Sequence, residues 1–71
     1  MVERFAKALS KLLRRFVESG RNSVDLFELW IESSIPMDLM EELVRKGEVD
    51  FPEELQQISV KGRVIWRRER E

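Results

Sequence analysis

The apolar positions of this chain repeat every three to four residues up to Gly47 and more closely after it. Three helices and a hairpin account for that change of period. In the first stretch, Phe5, Leu9, Leu12, Leu13 and Phe16 fall on one side of a helix when placed at about 100° per residue. The spacing predicts helix one over about residues 2–19, ending at Gly20. A loop follows, Ser19-Gly20-Arg21-Asn22-Ser23. Helix two is predicted over about 24–33, with Asn22 or Ser23 as its cap and Asp25 in its first turn. Its expected buried face carries Val24, Phe27, Trp30 and Ile31, with Leu26 and Leu29 on the flanks. Trp30 is therefore expected in the core. The break Ser33-Ser34-Ile35-Pro36 leads into helix three over about 36–46, with Leu39, Met40, Leu43 and Val44 facing inward. Proline suits its first turn, and Gly47 suits its stop.

Beyond Gly47, Glu48–Phe51 fits a short extended segment. The run Asp50-Phe51-Pro52-Glu53 also fits a capping box that opens one helical turn through about Gln57, and this is the favoured reading. Ile58-Ser59-Val60 and Arg63-Val64-Ile65-Trp66-Arg67 are β-branched runs around Lys61-Gly62, which predicts a hairpin over about 57–68. Trp66 is expected on the core, with stacking on an exposed nucleic-acid base as its alternative. Arg67, Arg68 and Arg70 continue the exit strand, and residues 69–71 are expected to fray. The fold class is mostly α with a small β-hairpin, α+β, in a single domain of 71 residues.

Charge sharpens this picture. Residues 1–21 carry six basic and two acidic groups, 22–59 two and ten, and 60–71 five and two, which gives the net charge of −1. Basic ends around an acidic middle point to a charged partner, to self-association, or to neutralisation within one domain. On helix one, Arg4, Lys7, Lys11, Arg14 and Arg15 form an outer stripe within an arc of about 100°. A solvated face explains the stripe, and an external anion also fits it. A membrane surface fits less well, because the apolar face is needed to cover helices two and three.

Several chemistries drop out on composition. There is no cysteine and no histidine, so disulfides, thiolate metal sites and the commonest general base are missing. No glycine-rich phosphate loop and no nucleophile–base set is present. Glu41-Glu42 and Glu53-Glu54 are adjacent pairs that diverge by about 100° on a helix, so neither forms a carboxylate dyad. No enzyme, no cofactor and no small-molecule substrate is expected. No apolar run approaches the roughly 20 residues of a membrane span and no leader is visible, so a cytoplasmic protein is expected. Charged residues at 38%, no threonine and three Asn or Gln resemble thermophile composition.

Helix, helix-turn-helix, then hairpin is an order that resembles the winged helix-turn-helix domain. The run VDLFELWIESSIPMDLMEELVRKGEV carries the resemblance, which covers residues 1 to about 68. It implies a recognition helix at Pro36–Lys46 and a wing at Ile58–Trp66. It implies DNA binding, in transcription regulation or a related role, or else protein interaction. Two departures stand out. The recognition helix offers Asp38 and Glu41 where phosphates and base edges would lie, and residues 48–57 are longer than the simplest members need.

Two functions follow as expectations. The first is binding of DNA phosphates by Lys61, Arg63, Arg67 and Arg68 of the wing and by Lys7, Lys11, Arg14 and Arg15 of helix one. The second is a protein-interaction or adaptor module. It would use the acidic Asp38, Glu41 and Glu42 surface, or an apolar face that forms a homodimer, since Ala6 and Val17 broaden the apolar side of helix one. A continuous positive surface favours the first. Scattered cations beside an exposed apolar patch favour the second.

Overall fold

A computed structural model describes residues 2–69. The order is α1 (Val2–Glu18), β1 (Ser23–Asp25), α2 (Leu26–Ser33), α3 (Met37–Arg45), β2 (Gln57–Val60) and β3 (Arg63–Arg67). Arg70 and the end of the expected frayed tail lie outside the described residues.

α1 and α3 stop in the same way. At the end of α3, the Gly47 N–H donates to the Val44 carbonyl at 3.1 Å and the Glu48 N–H to the Leu43 carbonyl at 2.9 Å. Gly47 stands at φ +70°, where a side chain is strained. At the end of α1, Gly20 and Arg21 donate likewise to Val17 and Phe16. α2 ends without glycine: Ser34 takes the left-handed conformation itself, at φ +62°, and donates to the Trp30 carbonyl. Only Ser34, Ile35 and Pro36 separate α2 from α3, and Ile35 is buried between them.

The expected helix two is shorter at its start. Ser23–Asp25 is a strand, and the α2 cap is Asp25, neither Asn22 nor Ser23. β1 runs parallel to β2, with Ser23, Val24 and Asp25 opposite Gln57, Ile58 and Ser59. The hairpin therefore belongs to a three-stranded sheet ordered β1-β2-β3. The strand also changes which side of α2 is buried. An extended Val24 points into the core independently of the helix phase that follows, because strand side chains alternate. Leu26 and Leu29 then turn inward, both at 0% exposure. The expected buried face of Phe27, Trp30 and Ile31 faces outward instead, and Trp30 is not in the core.

The core joins Leu9 and Leu13 of α1, Val24, Leu26, Leu29, Ile35, then Met40, Leu43 and Val44 of α3, with Val49, Leu55 and Ile58. The β2–β3 hairpin turns at Lys61-Gly62, both at positive φ (+51° and +89°), the pattern of a two-residue type I′ turn. A register shift at Ile58/Ser59 sets Ile58 against Trp66 but Ser59 against Val64, leaving Ile65 unmatched.

Residues 48–56 form no helix: the turn expected through Gln57 is reduced to a turn at Glu53-Glu54, closed by the Leu55 N–H donating to the Pro52 carbonyl at 3.0 Å. Two carbonyls of the segment also accept from outside it: the Arg68 guanidinium donates to Leu55 O at 2.9 Å and to Pro52 O at 2.6 Å. The Asp50 N–H donates to Ser10 Oγ at 3.0 Å, and that hydroxyl donates to Ala6 O. Phe51 stacks on Trp66 at 4.2 Å between ring centroids and 11° between planes, which places Trp66 against the core as expected.

Candidate interaction surfaces

Three large apolar side chains are exposed together on the outer face of α2, and Val64 of β3 is exposed as well. Phe27 is 40% exposed, Trp30 42% and Ile31 68%. The two rings pack on each other at 5.4 Å, tilted by 32°. Large apolar side chains together in water mark a surface that gains free energy when covered. The face has charges of both signs around it. Glu28 is paired with Arg21 at 3.1 Å, Glu32 is exposed near the C-terminal end, and the Lys61 ammonium lies 5.9 Å from the Phe27 ring. Arg21 also lies over the Phe16 ring of α1.

Asp25 sets the N-terminal border of this face. Its Oδ1 accepts the N–H groups of Phe27 at 2.9 Å and Lys61 at 3.0 Å. Its Oδ2 accepts the Gly62 N–H at 2.8 Å and the Ser59 hydroxyl at 3.1 Å. One carboxylate thus caps α2 and anchors the hairpin tip. Partial burial pushes this carboxyl up, but the hydrogen bonds from Phe27, Gly62, Lys61 and Ser59 together outweigh it and hold the pKa below its ordinary value.

The basic stripe of α1 is where the sequence places it. Arg4, Lys7, Lys11, Arg14 and Arg15 are all exposed. Among the described residues none of the five lies in an ion pair. A shallow groove runs between this stripe and residues 47–50, with Lys7, Lys11 and Arg14 on one wall and Glu48 and Asp50 on the other.

The wing cations each have different neighbours. Lys61 leans over Phe27, and the Arg63 guanidinium stands 3.9 Å from Glu41. Arg68 is held by backbone carbonyls and lies over Trp66. Arg67 is exposed beside Gln56, Gln57 and Glu69 in a shallow surface depression.

The acidic side chains of α3 are brought together with their own counter-ions. Arg45 reaches Glu41 at 2.9 Å and Lys46 reaches Glu42 at 2.9 Å. The hydrogen bond and charge of Glu42 hold the Lys46 ammonium above its usual range. Asp38 is exposed near the start of the same helix. Glu41 also faces Arg63, so the surface of α3 is mixed in charge rather than acidic throughout.

Two features escaped the sequence reading. The Asp25 anchor depends on residues 34 to 37 positions away. The outward Phe27–Trp30–Ile31 face had a signal: Leu26, Phe27, Leu29, Trp30 and Ile31 surround the helix except at Glu28 and Glu32. A helix apolar nearly all round exceeds what one small core can cover.

Compared with protein-family models, curated proteins and solved structures, the chain matches none of them. Among the described residues no helix is long and apolar enough to cross a membrane.

Proposed function

We propose that this chain is a non-enzymatic protein-interaction module of winged helix-turn-helix type that docks through the outer face of α2. The observation that carries the reading is the exposed trio Phe27, Trp30 and Ile31 on a helix whose other side is fully buried. Aromatic side chains at a partly covered apolar centre with a charged rim suit protein recognition. The family reading draws support from the three-residue link between α2 and α3 and from the tight hairpin after them. The wing cations turn toward Phe27, Glu41 and the backbone of residues 52–55, which weakens the wing as a phosphate grip. The acidic surface of α3 is largely neutralised by Arg45 and Lys46, so α2 is favoured over Asp38, Glu41 and Glu42 as the docking surface.

The test is site-specific photo-crosslinking with benzoylphenylalanine at position 31 or at position 11. Adducts to protein from position 31 that vanish with Trp30→Ser support docking through α2. Equal labelling from both positions sinks it.

A second reading rests on the α1 stripe. Five exposed cations, none of them in an ion pair among the described residues, span about 16 Å of helix, enough to follow several phosphates. In this reading DNA lies along α1, with Arg67 as a further contact. Fluorescence anisotropy with duplex and single-stranded DNA tests it. Binding that weakens steeply with salt and is lost in Lys7→Glu/Lys11→Glu supports it, and no binding at low salt removes it.

A further inference from the structure

The geometry points to a side-on duplex site on α1: the outer stripe grips the phosphates of one strand of a DNA duplex from outside the grooves and does not read the bases. This site rests on the second reading above, in which DNA lies along α1, and it uses no residue of the α2 face.

The first support is the frame around the stripe. Arg4, Lys7, Lys11, Arg14 and Arg15 are exposed on the side of α1 opposite the buried Leu9 and Leu13. Glu3 and Glu18, both exposed, stand beyond its two ends. Glu48 and Asp50 form the far wall of the groove beside Lys7, Lys11 and Arg14. Carboxylates thus bound the cations at both ends and along one flank. The whole chain has a net charge of −1, so attraction to a polyanion has to be local. The carboxylate frame limits where that attraction acts.

The second support is length. From Arg4 to Arg15 the helix rises about 16 Å. Over that distance each strand of a duplex carries about five phosphates, one per roughly 3.4 Å of axis. Five cations therefore match what one strand presents.

The third is the contrast with other ways of holding nucleic acid. A helix that reads bases enters the major groove, about 12 Å wide, with a phosphate wall on each flank. Residues 47–50 occupy one flank of α1, and there Glu48 and Asp50 would meet such a wall with like charge. That keeps α1 outside the groove. Single strands are held by aromatic side chains that stack on bases beside the cations. Among the described residues the exposed large apolar side chains are Phe27, Trp30, Ile31 and Val64, none of them on α1. A duplex backbone is the ligand that needs cations alone.

Fluorescence anisotropy of the whole chain with labelled duplexes of about 20 base pairs, from about 20 to about 200 mM salt, tests this. Expected is a log–log salt slope of about −3 to −4.5, the range for up to five phosphate contacts. Lys11→Gln should flatten that slope by about one. Duplexes of unrelated sequence, and one methylated at guanine N7 in the major groove, should bind within about threefold of one another. The single strand of the same length should bind at least about threefold more weakly. Glu48→Gln/Asp50→Asn leaves the Asp50 N–H bond to Ser10 in place. It should tighten binding at least about twofold, because it removes border carboxylates within a Debye length of the backbone. A larger spread among sequences, loss of binding on N7 methylation or tighter binding of the single strand overturns the side-on site and leaves DNA binding along α1 intact. So does an unchanged affinity in the border variant. No binding at low salt removes both, as does binding that Lys7→Glu/Lys11→Glu leaves unchanged.

Discussion

The carboxylate of Asp25 accepts the backbone N–H of Gly62 at 2.8 Å, across 37 positions of sequence. The same side chain caps α2 through the Phe27 N–H. The start of the exposed helix and the tip of the hairpin are therefore fixed by one residue. Removing it should loosen both. Asp25→Ala is expected to cost roughly 2–3 kcal/mol, a lost helix cap plus unsatisfied turn donors. Urea unfolding checks this, and a cost under about 0.5 kcal/mol would mean that water replaces the carboxylate without loss.

The same anchor makes a prediction in acid. The Asp25 carboxyl titrates below its ordinary value of 3.8, because four hydrogen bonds outweigh the upward push of partial burial. The folded chain thus takes up this proton less readily than the unfolded chain. The contribution is complete above the unfolded value and fades as pH falls through the lower folded one. The stability gap between the natural chain and Asp25→Asn should hold from about pH 7 to about pH 5 and narrow below about pH 4. A gap that widens in acid would contradict the hydrogen bonds described.

The two sides of α2 should respond differently to truncation. Leu29→Ala, at a fully buried position, should cost about 2–4 kcal/mol. Ile31→Ala, at 68% exposure, should stay within about 0.5 kcal/mol at concentrations where the chain is monomeric. Thermal melts of the two variants decide the orientation of the helix. The reverse ranking would restore the face that the sequence pattern suggests.

Phe51 and Trp66 hold the irregular segment 48–56 against the sheet. Each is half-buried, so Phe51→Ala and Trp66→Ala should each cost about 2–3 kcal/mol. Their double-mutant cycle should give a coupling of about 0.5–1.5 kcal/mol, as for a stacked pair. Coupling near zero in chemical denaturation would mean that the rings pack independently.

The hairpin turn carries a residue out of its preferred conformation. Lys61 sits at φ +51°, where asparagine is favoured over lysine. Lys61→Asn should raise stability by about 0.5 kcal/mol, while Gly62→Ala, at φ +89°, should lower it by about 1 kcal/mol. Differential scanning calorimetry at low concentration reads both signs.

The sequence by itself determined the helical segments, the hairpin and their order. α1 has a single apolar stripe, so only one orientation buries it, and the basic residues had to face water. Gly20 and Gly47 mark helix ends, and Lys61-Gly62 marks a two-residue turn, because each needs a backbone conformation set locally. Tertiary structure decided what local pattern left open. Leu26, Leu29, Phe27 and Ile31 lie on opposite sides of one short helix, and either side could have been buried. Pairing of Val24 with Ile58 in the sheet took Val24 out of the helix register, so its burial no longer called for the Phe27 and Ile31 side, and Leu26 and Leu29 are buried instead. Residues 48–56 follow the same logic: of the helical turn their sequence allowed only the Pro52–Leu55 turn formed, and the Pro52 and Leu55 carbonyls found the Arg68 guanidinium. The hydrogen bonds of Asp25 and Arg68, and the sheet pairing of Val24, join residues far apart in the chain, and no periodicity along it records which partners meet.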